Sequence, residues 1–274
     1  MKTMKSMLAA LAVSVFLLSC ALIAQGASVR TFVSSTGSDG NTGVDCQPEI
    51  NACRTFQAAI GQTSPGGQVV ALDSTGYSAF SINKSITIEG APGVNAFIFV
   101  GAGGAGITVT GVSTDLIVLR NIFVDGLGNA STTGLSFTGA AKLVVESCVF
   151  KSLTTGVSVA GTNNTTLPAR MDLINSNFYG NGTAVVSNGS GANNPNNACC
   201  TASTSMVRIN GGNITGNTVG LSMLNAGPNQ QANIALFGPT GPVLNLVANG
   251  TNTTCSPSCS TFPFSYQTNS SFGP

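Results

Sequence analysis

"LINSNFYGNGTAVVSNG", residues 173–189, sets two short apolar runs among Asn, Gly and Ser and carries no charge. Sliding the chain against itself brings four segments into mutual register, the third containing the start of this stretch: "IVLRNIFVDG" from Ile117, "LVVESCVFKS" from Leu143, "MDLINSNFYG" from Met171 and "VRINGGNITG" from Val207. Their first positions are Ile117, Leu143, Met171 and Val207, and their third positions Leu119, Val145, Leu173 and Ile209. Their eighth positions are Val124, Phe150, Phe178 and Ile214. All are apolar, while the position between first and third is free to be charged. That period of two is the pattern of a strand with one buried face.

A turn-like position follows the first strand, at Asn121, Ser147, Asn175 and Gly211, all residues that bend the chain or hydrogen-bond locally. A second strand comes later in each unit: "GLSF" at Gly134, "GVSV" at Gly156, "AVVS" at Ala184 and "GLSM" at Gly220. "SITIEG" at Ser85 and "GITV" at Gly106 read as earlier copies, and "NIALFG" at Asn233 with "VLNL" at Val243 as a degenerate later unit. From Leu119 to Val145, Leu173 and Ile209 the spacings are 26, 28 and 36 residues. Units of this length with two or three short strands predict an all-β coil of stacked rungs, a parallel β-solenoid.

The charges support the same register. Glu89, Arg120 and Glu146 share one column, Asp125 and Lys151 a second, Asp172 and Arg208 a third. Neighbouring strands lie about 4.8 Å apart, so opposite charges in a column become partners. Lys142 over Arg170 is the exception.

Residues 1–26 read as a signal peptide. Lys2 and Lys5 precede an apolar run from Met7 to Leu18, and Ala24-Gln25-Gly26 places small residues for cleavage before Ala27. The expected location is secreted or periplasmic. Lipid anchoring at Cys20 of "LLSC" is a second reading, and the run is short for a membrane span. Without Lys2 and Lys5 the ten basic residues become eight against nine acidic. No basic patch remains to follow a phosphate backbone, so nucleic acid is not an expected partner. Abundant Val, Ile, Leu and Phe exclude a disordered chain.

Seven cysteines remain. Cys46 with Cys53, and Cys255 with Cys259, each close a short loop, which suits an oxidising compartment. Cys148 reads as a small buried hydrophobe inside a strand, and the adjacent Cys199 and Cys200 leave their pairing open. With no histidine and no paired Cys-x2-Cys knuckles, zinc is not expected. No other metal and no cofactor are expected either.

Residues 27–80 differ from the repeat. "CRTFQAAIGQ" sets Phe56, Ala59 and Ile60 at helical spacing, and a solenoid needs its open end covered. The expected organisation is a helix-bearing cap over 27–80, rungs over 81–250 and a C-terminal tail or cap over 251–274.

"TFVSSTGSDGNTG", "CRTFQAAI", "GGQVVALDSTGY" and "KSITIEG", followed by the rungs, resemble the secreted right-handed β-helix repeat proteins of the pectate-lyase-like superfamily. The resemblance spans roughly residues 29–250 and implies a right-handed parallel β-helix with a polysaccharide partner. It brings no active site. Polygalacturonases use paired aspartates and a Gly-His-Gly segment, and this chain has no histidine. Pectin methylesterases place an arginine beside a tryptophan, which is also absent. Pectate lyases gather acids for calcium, whereas the acids here are scattered.

Three functions follow as expectations. The first is a non-catalytic polymer binder. "GTNNTTLP" from Gly161, "NGSGANNPNNACCTAST" from Asn188 and "LNAGPNQQ" from Leu224 all follow the second strand, and insertions at one junction stack on one side. Asn193, Asn194, Asn196 and Asn197, with Tyr179, are the candidate ligand contacts. The second is a polysaccharide lyase or esterase using Asp125, Lys151, Asp172 and Arg208 as acids and bases. The third is an assembly protein joined through the odd cysteine. Tyrosines at 77, 179 and 266 are few and there is no tryptophan, which weakens stacking on sugar rings. Asn-x-Ser/Thr triplets such as Asn181-Gly182-Thr183 and Asn249-Gly250-Thr251 are expected by chance in so Asn-rich a chain.

Overall fold

The computed structural model describes residues 28–139, 141–160, 169–188, 205–224, 232–237, 245–247, 249 and 251–256, with the backbone alone at 232, 233, 237, 245–247 and 252–256. Its strands form three wholly parallel sheets. The first has eight strands, from Ser28–Val33 to Ala232–Phe237. The second has seven, from Gly76–Tyr77 to Asn245–Val247, and the third seven, from Phe80–Ile82 to Thr251–Ser256. The chain visits them in turn. Leu116–Arg120 lies in the first sheet, Ile122–Asp125 in the second and Thr133–Thr138 in the third, and Lys142–Glu146 is back in the first. Neighbours within a sheet therefore come from consecutive repeats.

The register is the one the sequence repeat predicts. Ile117, Leu143, Met171 and Val207 pair across the first sheet, as do Leu119, Val145, Leu173 and Ile209. The ten-residue segments do not form single strands, however. Asn121, Ser147, Asn175 and Gly211 adopt φ of 54°, 54°, 48° and 72°. A left-handed residue turns the chain out of its sheet, so the eighth-position residues belong to the second sheet. There Phe150 pairs with Val124 and Phe178, and the two phenylalanine rings stack 5.1 Å apart inside the core. Burying each such ring contributes about 2–3 kcal/mol. Cys148 is buried, yet it sits at the corner before Val149–Lys151 rather than inside a strand. Burial pushes its thiol up to about 12.

A second corner carries a ladder of asparagines. Asn181 Nδ2 donates to Asn217 Oδ1 at 2.8 Å, and Asn217 Nδ2 to Asn249 Oδ1 at 3.0 Å. Each side chain also holds backbone: Asn181 Nδ2 donates to Phe150 O, Asn217 Nδ2 to Phe178 O and Asn249 Nδ2 to Ile214 O. Asn181 and Asn217 are each 2% exposed. Asn181 and Asn249, the asparagines of the two Asn-x-Thr triplets, therefore have their side-chain amides committed to the fold.

At the N-terminal end the helix Phe56–Gln62 buries Phe56, Ala59 and Ile60. Thr55 caps it by accepting from Ala58 N–H. The Phe56 ring meets those of Tyr77 and Phe80 at 4.9 and 4.8 Å. Cys46 and Cys53 form a disulfide beside it. The stretch 28–82 also supplies strands to all three sheets, and Thr251–Ser256 extends the third sheet beyond residue 250.

Candidate functional site

The three long insertions leave and return in register. Ala160, Asn188 and Leu224, the last strand residues before them, are neighbours in the third sheet. Ala169, Ser205 and Ala232, where the chain resumes, are neighbours in the first sheet. Residues 161–168, 189–204 and 225–231 therefore spring from one edge, between the third sheet and the first. The hydroxyls of Ser187 and Ser205 bond at 2.8 Å in a buried position and close the base of the longest insertion. Asn193, Asn194, Asn196 and Asn197 lie outside the described residues, as do Cys199, Cys200 and Cys259, the expected partner of Cys255.

The four acid and base candidates form two separate pairs. On the outer face of the second sheet Lys151 Nζ lies 2.9 Å from Asp125 Oδ2. Asp125 also accepts from Leu127 N–H. On the outer face of the first sheet Arg208 binds Asp172 with two nitrogens, at 2.6 and 2.9 Å. Neither carboxylate is left facing an unoccupied base, and the pairs lie on different sheets. Tyr179 is the register partner of Lys151 and so faces outward from the second sheet, away from the edge that carries the insertions. Arg120 bridges Glu146 at 2.7 Å and Glu89 at 3.9 Å.

Sequence reasoning missed two features. Phe97, Phe99 and Phe123 point outward from the second sheet, with ring centroids 6.1 Å apart for Phe97–Phe99 and 5.2 Å for Phe97–Phe123. The outward parity of "NAFIFV" was the available signal. Asp73 is a hub near the N-terminal end. It accepts from the Ser35 hydroxyl and N–H, the Tyr77 hydroxyl and the Ser34 hydroxyl. Burial acts to raise its carboxyl, but these bonds, Ser35 and Tyr77 foremost, outweigh it and hold the group below its ordinary value. Tyr77 is held above its own ordinary value by burial and by Asp73.

The like-charged pair that stood as the exception among the charge columns lies at the start of the first-sheet strands beside the insertions. Lys142 is the register partner of Arg170. Arg170 Nε is 3.8 Å from Asp172 but is buried without a hydrogen bond. Among the described residues no three of Asp, Glu and Cys gather as a metal-binding set, and no helix is long and apolar enough to cross a membrane. No family model, curated protein or solved structure matches the chain.

Proposed function

We propose that this chain is an exported right-handed parallel β-helix of the pectate-lyase-like kind. It binds a polysaccharide or another surface polymer on the edge between the third and first sheets, without cleaving it. The in-register flanks of the three insertions support the reading most, since loops rooted at neighbouring points present one continuous surface. Asn, Gln, Ser and Thr dominate those insertions and can pair with sugar hydroxyls. The cyclic visiting of three parallel sheets fits a coil, and parallel crossovers are right-handed in about 98% of cases. The Cys46–Cys53 disulfide fits export into an oxidising compartment. Mutual occupation of Asp125 by Lys151 and of Asp172 by Arg208 argues for binding over acid–base chemistry.

The test is an array of soluble polysaccharides and cell-wall polymers, read for retention of the protein and for new reducing or unsaturated ends. Retention without new ends is expected. New ends would replace this reading with a lyase or hydrolase, and silence in both channels would replace it with assembly.

A further inference from the structure

Lys142 and Arg170 stand directly opposite each other on adjacent strands, where like charges are destabilising. The strands are about 4.8 Å apart, so one small anion can contact both. Arg170 Nε is buried and makes no hydrogen bond among the described residues, while the side chain as a whole is 40% exposed, so the guanidinium carries an unsatisfied donor inside and remains open to an anion outside.

The chain itself offers no acid to fill this gap. All nine acidic residues lie among the described ones. Asp172 is 3.8 Å from Arg170 Nε, but both its oxygens are taken by Arg208. Glu146 is bound by Arg120. The Asp115 carboxylate accepts from Ser85 N–H and hydroxyl and from Val112 N–H. The insertions 161–168, 189–204 and 225–231 contain no charged residue, and neither does any position after Arg208. The two acids nearest the pair, Asp172 and Asp115, are therefore already held by Arg208 and by Ser85 and Val112.

We propose that Lys142 and Arg170 form an oxyanion-binding site, which takes a carboxylate, sulfate or phosphate group. An Arg guanidinium beside a Lys ammonium is a recurrent receptor for such groups. The site lies on the edge from which the insertions spring. Taking the polymer-binding reading above as given, its ligand is an anionic group carried on that polymer, so acidic polymers bind in preference to neutral ones.

The experiment compares wild type, K142E, R170Q and the control R30Q, which removes a cation elsewhere on the chain. Immobilised sulfated, uronate and neutral polymers are the first probes. Inorganic sulfate at constant ionic strength, followed by amide NMR shifts, is the second. Wild type is expected to hold the acidic polymers at least tenfold tighter than neutral ones, with retention weakening as salt rises. R170Q and K142E should each lose at least tenfold, and R30Q less than twofold. K142E sets a carboxylate opposite Arg170 and replaces the anion internally. Its unfolding midpoint should therefore rise while binding falls, which a merely damaged fold would not do. Neutral and acidic polymers held equally well by all four proteins would overturn the anion site and leave the polymer reading standing. Sulfate shifts at residues 142 and 170, lost in K142E, with no polymer retained, would keep the site with a free ion as ligand and overturn the polymer reading. A loss in R30Q equal to that in R170Q, or no response to any probe, would overturn the site.

Discussion

Single residues carry stability here through polar contacts that the hydrophobic pattern does not reveal. Asp73 is the clearest case. Its folded-state carboxyl lies below the ordinary value, so its contribution is present above the unfolded value of about 3.9 and fades as pH falls through the folded one. Asp73→Asn should lower stability by about 2 kcal/mol at pH 7, measured as a urea midpoint. That deficit should shrink at pH 3, and a deficit independent of pH would contradict the assignment. Asn217→Ala would leave the Asn181 N–H and one of its two side-chain amide hydrogens, both of which donate to Asn217 Oδ1, buried without an acceptor, while the other amide hydrogen keeps Phe150 O. A loss of about 3 kcal/mol is expected, against about 0.5 kcal/mol or less for the exposed Asn83→Ala. Asn181, Asn217 and Asn249 were visible as a recurrence at 36 and 32 residues. Abundant asparagine hid it, because a ladder and a chance composition look alike until burial separates them.

At the scale of elements the strands and their turns were readable, and the change of sheet at each turn was not. Alternation placed Ile117, Leu119 and their counterparts on one inner face, since a one-residue slip would turn every apolar side chain outward. The corner positions 121, 147, 175 and 211 were recognisable as turns, but composition does not state that the turn changes sheet. Their left-handed φ does. Ser147 is the least suited occupant, because asparagine tolerates this region better than serine. Ser147→Asn should raise the thermal midpoint, corresponding to a gain of about 0.5 kcal/mol. A loss would mean that the Ser147 hydroxyl contributes something the geometry does not show. The outward phenylalanines 97, 99 and 123 escaped notice for a related reason. Apolar residues on both faces of a short strand blur the alternation that identifies its inner side.

Over the whole molecule the repeat specified which segments become neighbours, and charge pairing checked the alignment independently. Glu89, Arg120 and Glu146 meet as the shared column requires. The site was less legible. Asp125, Lys151, Asp172 and Arg208 share a repeat frame in the sequence, but Asp125 and Lys151 follow the corners at Asn121 and Ser147 onto the second sheet, whereas Asp172 and Arg208 precede those at Asn175 and Gly211 and stay on the first. The insertions, by contrast, share one edge because each follows a third-sheet strand. The central claim, that this edge binds the polymer, is tested most directly by shortening 189–204 to a Gly-Ser link while substituting Phe99→Ala in a parallel variant. Both variants keep the paired strands that define the sheets, which circular dichroism checks. The account predicts that polymer retention falls at least tenfold on shortening and stays within twofold for Phe99→Ala. Retention that survives shortening but is lost with Phe99 would move binding to the outer face of the second sheet and contradict it.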